Sequence, residues 1–238
     1  MRTSCLIIGA SGEIGQAIAH RLVTEGYDVL LHYHRNEAEI KKLVSQLPEE
    51  SLLGVVKGDL STNEGIHTFI NQFNFPIENI VFTSGQSDYG LFQDTSETLM
   101  DEMIALHVKA PWMITKHVIP DMVRNQSGNI ILVTSIWGEV GASCEVVYSS
   151  VKGAQNTFVK ALAKELAGSG ISVNAVSPGF IDTKMNHNLS EIEKNDIISQ
   201  IPINRAGKPN EVAHVVAFLL DERSKYIQGE IVNVTGSW

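Results

Sequence analysis

Seven apolar runs rich in Ile, Val and Leu recur along this chain with amphipathic stretches between them, and that alternation restricts the fold most. The runs occupy 4–10 (SCLIIGA), 28–33 (DVLLHY), 51–59 (SLLGVVKGD), 78–85 (ENIVFTSG), 128–135 (GNIILVTS), 171–179 (ISVNAVSPG) and 229–236 (GEIVNVTG). Gly, Ser, Asp or Thr residues follow each of the first six. Between them, stretches such as 13–26 (EIGQAIAHRLVTEG) and 154–170 (AQNTFVKALAKELAGSG) carry apolar residues at helical spacing, the latter closed by glycines. Strands alternating with helices predict a parallel sheet covered on both faces, which is why the runs are continuously apolar. With no Pro/Ser/Gly-rich linker, repeat or low-complexity segment, the expectation is one doubly wound α/β domain over residues 1–238. Ligands of such folds sit beyond the carboxyl ends of the strands, so the functional search narrows to the segments ending each run.

Composition removes several function classes. Hydrophobic residues make up 43%, charged residues 19%, and mean hydropathy is +0.02, values of a globular protein rather than a disordered one. No apolar run approaches the roughly 18 residues of a membrane span. The first run meets glycines at once and reads as a strand, not a signal peptide. Cys5 and Cys144, without an export signal, are expected to be reduced thiols in a cytoplasmic protein. The net charge of −9, with no basic cluster longer than Lys41–Lys42, argues against nucleic-acid binding. Among eight His residues, His32 and His34 share a strand face but no HExxH occurs, so a structural role is expected and no metal site.

The segment IIGASGEIGQAIAHRL places Gly9, Gly12 and Gly15 in a strand-to-helix turn. Such glycines bring backbone N–H groups close to a pyrophosphate at a helix N-terminus, which predicts a dinucleotide site. An acid that would bind a ribose 2′-hydroxyl is missing where the second run ends in Tyr33, His34 and Arg35; none comes before Glu37. Arg35 would attract a 2′-phosphate, favouring NADP(H), although a solvated surface Arg fits the same sequence. Asp59 has two readings, an acceptor for an adenine amino group or an N-cap for the helix starting near Thr62.

Tyr148 and Lys152 stand four residues apart, Ser135 thirteen before the Tyr. On a helix an i, i+4 pair shares one face. An ammonium favours the phenolate, and moving a Tyr from its usual ~10 towards ~7 takes roughly 4 kcal/mol. Such a phenol suits proton donation to a carbonyl oxygen as hydride reaches carbon, and Ser135 could donate a second hydrogen bond to the developing alkoxide.

Glycine turn, Asp59, Ser135, Tyr148, Lys152 and SPGFIDTKM (177–185), in this order, resemble the short-chain dehydrogenase/reductase family over essentially the whole chain. The resemblance implies a Rossmann-type fold, NADP(H) as cofactor, Tyr148 as proton donor, Lys152 lowering its pKa and holding the nicotinamide ribose, and Ser135 positioning the carbonyl. It implies cofactor contacts at Gly9, Ser11, Gly12, Glu13, Ile14 and Gly15, at His34, Arg35, Asp59, Leu60 and Gly85, at Tyr148 and Lys152, and at Pro178, Gly179, Ile181 and Thr183. The chain departs from the family pattern at Ile8 and Glu13 of the turn, in FTSG (82–85), in TGS (235–237), and at His107, which stands where the family has the Asn of its catalytic tetrad. Glu13 is expected to point to solvent. His107 can supply a backbone carbonyl, act through its ring, or simply pack.

Two subgroups fit. The 3-oxoacyl-acyl-carrier-protein reductases place Arg residues near the active-site mouth, where this chain has Gln126 and Ser169. The bacterial elongation factor P 5-aminopentanone reductases look closer in 84–91, 106–111 and 135–149, implying a protein-attached ketone and elongation factor P as partner. Glu139 and Glu145 would welcome a cationic amine there, or are solvated loop residues. Trp137, Tyr89 and Phe92 are candidate pocket walls. Apolar surface on 99–123 and 146–166 exceeds what one sheet face needs, and the resemblance implies that these elements form a helix bundle between copies, so a homo-oligomer, dimer or tetramer, is expected.

Overall fold

A computed structural model describes residues 3–72, 76–186 and 189–238. The first half runs β1 (Ser4–Ile8), α1 (Glu13–Thr24), β2 (Asp28–Tyr33), α2 (Glu37–Gln46), β3 (Leu52–Lys57), α3 (Asn63–Ile70) and β4 (Asn79–Phe82). Then follow α4 (Glu97–Ile104), a π-helical turn (Ala105–Lys109), α5 (Ala110–Asn125), β5 (Gly128–Val133), α6 (Trp137–Val140) and α7 (Val146–Leu166). The chain closes with β6 (Ile171–Pro178), α8 (Glu191–Gln200), α9 (Pro209–Leu220) and β7 (Ile231–Val234).

The strands form one parallel sheet in the order β3-β2-β1-β4-β5-β6-β7, with its topological switch between β1 and β4. Every residue of β4, β5 and β6 is buried, as a sheet covered on both faces requires. Alternate residues feed two cores. Leu6, Ile8, Ile80 and Ile130 pack towards α3, α5 and α7, while Cys5, Ile7, Val81 and Ile131 pack towards α1, α2 and α9. Among the described residues no helix is long and apolar enough to cross a membrane.

His32 explains how the first turn is fixed. Its Nδ1 accepts the Gly9 N–H at 3.1 Å and its Nε2–H donates to the Gly58 carbonyl at 3.1 Å, so the ring joins the turns after β1 and β3. Burial pushes its pKa down to about 4, and that of His107 to about 3. Both bind protons more readily when unfolded, so their contribution to stability is complete above about pH 6.5 and is lost as pH falls towards those values. Each should remove roughly 2–3 kcal/mol between pH 6.5 and 4.5. Urea unfolding across this range should show that slope, and His32→Gln should make it shallower.

Candidate active site and nucleotide cradle

The glycines of the first turn divide by role. Gly9 has φ +86° and a Cβ there would lie 2.6 Å from the Ser84 backbone; a Cβ on Gly15 would lie 2.4 Å from the Gly9 carbonyl. The fold itself therefore requires both. Gly12 differs: φ is −76°, it is exposed, and its Cβ would meet nothing nearer than 3.5 Å. It also N-caps α1 without a side-chain acceptor, so the first N–H groups of that helix face outward past a residue with no side chain. Backbone donors at an open glycine corner fit a diphosphate, and they lie at the carboxyl end of β1 beside the switch point.

Thr83 braces this cradle, its hydroxyl donating to the Ile8 carbonyl at 2.8 Å and lying 3.2 Å from that of Gly9. Sequence reading treated FTSG only as a departure and missed this. Ser11 offers its carbonyl to the Gln16 amide, and Ile14 packs on the core. Glu13 is the correction here. Its carboxylate accepts the Lys184 backbone N–H instead of pointing only to solvent, and the Lys184 ammonium pairs with Glu39 at 2.6 Å.

At the end of β2, Arg35 is exposed; against burial, hydrogen bonds from Ser61 and then the charges of His34 and Arg35 hold Asp59 below the usual carboxylate range. The N-cap of α3 is Thr62, not Asp59, which instead accepts from Ser61 and lies 3.7 Å from His34. Glu37 is turned aside in a pair with Lys41. The Leu60 side chain lies in the core. On the far side, Gly179 donates to Val234, Ile181 is buried and bridges to Gly207, and the Thr183 hydroxyl reaches the Ile181 carbonyl.

Ser135, Tyr148 and Lys152 come together beyond β5. Ser135 lies close enough to Tyr148 to favour its ionised form, and it accepts the Trp137 N–H at 3.2 Å. The Lys152 ammonium lies 5.6 Å from the Tyr148 ring centre and donates to the Val133 carbonyl at 3.0 Å. Burial is the largest influence on both groups: it pushes Tyr148 up to about 12 and Lys152 down to about 7. Burial and the Glu145 charge both hold the phenol protonated, with Ser135 acting the other way. His107 sits in the π turn with its ring edge-on to Tyr148 at 5.8 Å, beneath Gly85. Its Nε2 meets the Gln86 backbone, and its carbonyl accepts the Gln155 amide at 2.7 Å. A recess beside Tyr148 is lined by Asp88, Gly90, Thr95, Leu99, Met103 and Cys144, among others, with no Lys or Arg.

Gln126 and Ser169 do not lie at this mouth. They precede β5 and β6, at the amino ends of those strands, where the Gln126 carbonyl packs against Gly170. Another residue was missed: Gly138, whose Cβ would lie 2.7 Å from the Lys152 backbone, lets α6 rest on α7. A small residue three places after Ser135 was its only sequence signal.

Replacement of Gly9 by Ala should lower stability by more than about 1 kcal/mol, through left-handed strain and the clash. Gly12→Ala should stay within about 0.5 kcal/mol of the parent in urea unfolding.

Residues 9–236 match the enoyl-(acyl carrier protein) reductase model of the short-chain dehydrogenase/reductase family. An uncharacterized oxidoreductase, YmfI, of Bacillus subtilis (strain 168) is 46% identical, covering 100% of this chain and 99% of its own. The 3-oxoacyl-[acyl-carrier-protein] reductase FabG of Staphylococcus epidermidis is 34% identical, with 99% and 98% covered. A crystal structure of a putative NAD(P)-dependent gluconate 5-dehydrogenase from Beutenbergia cavernae, with NADP bound at low occupancy, superposes with a TM-score of 0.93 at 25% identity, covering 99% of this chain and 96% of that one. Sheet order, glycine cradle and full-length similarity agree: the chain is an oxidoreductase of the short-chain dehydrogenase/reductase family.

Proposed function

We propose that this protein is an NADPH-dependent ketone reductase acting on an aminoketone, with the 5-aminopentanone modification of elongation factor P as its substrate. The observation that carries the reaction class is the buried Lys152 ammonium 5.6 Å from the Tyr148 ring centre, with Ser135 beside the phenol. A bound NADPH supplies the hydride. Ser135 and Tyr148 hydrogen-bond the carbonyl oxygen, and Tyr148, fully protonated at neutral pH, gives its proton to the developing alkoxide. Lys152, with a pKa near neutrality, gives up a proton readily enough to restore the phenol. The His107 ring packs edge-on to Tyr148, and Gln155 holds the His107 backbone carbonyl.

NADP(H) as cofactor is supported by the open cradle at Gly12, by Arg35 beside Asp59, and by the NADP-containing relative. Acidic groups near Tyr148 favour the aminoketone: Asp88 lines the recess, and the half-buried Glu145 at the start of α7 acts with its charge on the phenol. The second reading, 3-oxoacyl-acyl-carrier-protein reduction, is favoured by the 34% identity to FabG. An acyl chain gains nothing from these acids, and an acidic carrier protein is repelled by a chain of charge −9. Exposed Trp112, with Phe158 6.3 Å away, and exposed Ile104 and Val123 support a homo-oligomer built on α4, α5 and α7. A cytoplasmic location completes this reading.

Tyr148→Phe should lower kcat by at least about 10³-fold while NADPH affinity, followed by fluorescence, changes less than about threefold. Arg35→Ala should weaken NADPH by about tenfold and leave NADH nearly unchanged; equal weakening would refute the 2′-phosphate assignment. Product analysis with ketone-modified elongation factor P against an acetoacetyl thioester separates the two substrate readings, and turnover of the thioester alone sinks the first.

A further inference from the structure

Glu145 is placed oddly for a carboxylate. It is the N-cap residue of α7, where an acid ordinarily accepts from the free N–H groups of its own helix, yet it makes no such bond. Its carboxylate is instead half-buried, near enough to the Trp137 side chain for that contact to favour its charged form. Trp137 in turn donates its backbone N–H to Ser135, which lies beside Tyr148, so the four residues are gathered in one cluster. The last residue, Trp238, closes the cluster: its ring stands edge-on to Trp137 at 4.9 Å and lies against Gly179.

For a neutral ketone this carboxylate works against the reaction. Burial holds Glu145 above the usual carboxylate range, and its negative charge helps keep the Tyr148 proton in place. As the phenol transfers that proton it becomes negative beside an existing negative charge, which raises the barrier. A positive group on the substrate would cancel both penalties at once. The two indoles also offer faces to a cation. Glu139, by contrast, is exposed and its carboxylate reaches the Asn233 amide at 3.4 Å, away from the cluster.

We propose that Glu145, framed by Trp137 and Trp238, is a specificity-determining residue that receives a cationic group of the substrate and makes proton donation by Tyr148 efficient only when that cation is present. The inference rests on the aminoketone reading above and assigns it to one carboxylate.

Two ketones of matched shape test it: 5-(dimethylamino)pentan-2-one, cationic at neutral pH and unable to cyclise to an imine, and neutral 6-methylheptan-2-one. Initial rates of NADPH oxidation give kcat and KM for each. Wild type should prefer the cationic ketone. Glu145→Gln should lower kcat/KM for it by at least tenfold, with part of the loss in kcat, and leave the neutral ketone unchanged or faster. Glu139→Gln should alter neither. Equal loss on both ketones in Glu145→Gln, or the same selective loss in Glu139→Gln, overturns the assignment of Glu145. A wild-type preference for the neutral ketone refutes the aminoketone reading itself.

Discussion

An ammonium held out of water beneath the carboxyl end of β5 is the constraint on which the rest of this site depends. The buried Lys152 has the Val133 carbonyl as a hydrogen-bond acceptor at 3.0 Å, and an ion so placed costs several kcal/mol unless it sheds charge or gains partners. Its pKa of about 7 is the chain's partial answer. The geometry that achieves this burial also fixes everything around it. Helix α7 must lie close against the sheet, Gly138 must lack a side chain so that α6 can approach the backbone at Lys152, and Tyr148 follows one helical turn earlier at the pocket edge.

The same burial gives the two groups opposite tendencies. Desolvation raises a phenol and lowers an amine, so the Tyr keeps its proton at neutral pH while the Lys exchanges one readily. An acid that stays loaded beside a base near neutrality is an arrangement suited to reduction, in which a proton must be given and then recovered.

Much of this was legible in the sequence, and the reasons are specific. The seven strands were readable because both faces of a parallel sheet are covered, leaving unbroken apolar runs such as NIILV in β5. Ser135, Tyr148 and Lys152 were readable because helical spacing alone puts the last two on one face. Contacts between segments distant in sequence were not. Nothing in the string HYH says that His32 will accept from Gly9 and donate to Gly58, and nothing in ALHVK announces a π turn whose carbonyl takes the Gln155 amide. Which of the three turn glycines serves the fold and which stands open was equally hidden, since the clash at Gly9 is with Thr83 and Ser84 beyond β4 and that at Gly15 is with the Gly9 carbonyl once the turn has folded.

Glu13 shows how such long-range contacts change the meaning of a residue. Read in isolation, an acid at the first position of a phosphate-facing helix threatens an anionic ligand, even though it suits the helix dipole. The folded chain commits that carboxylate to the Lys184 backbone, 171 residues further on, while the Lys184 ammonium reaches Glu39 on α2. The segment following β6 is thereby tied to α1 and α2 together, across the carboxyl end of the sheet. Its charge is thus engaged by the Lys184 N–H and offset by the nearby ammonium, which lets the turn keep an acid without closing the cradle to a diphosphate. The partner of the turn residue comes from a remote loop, and only the three-dimensional contact reveals that the two belong together.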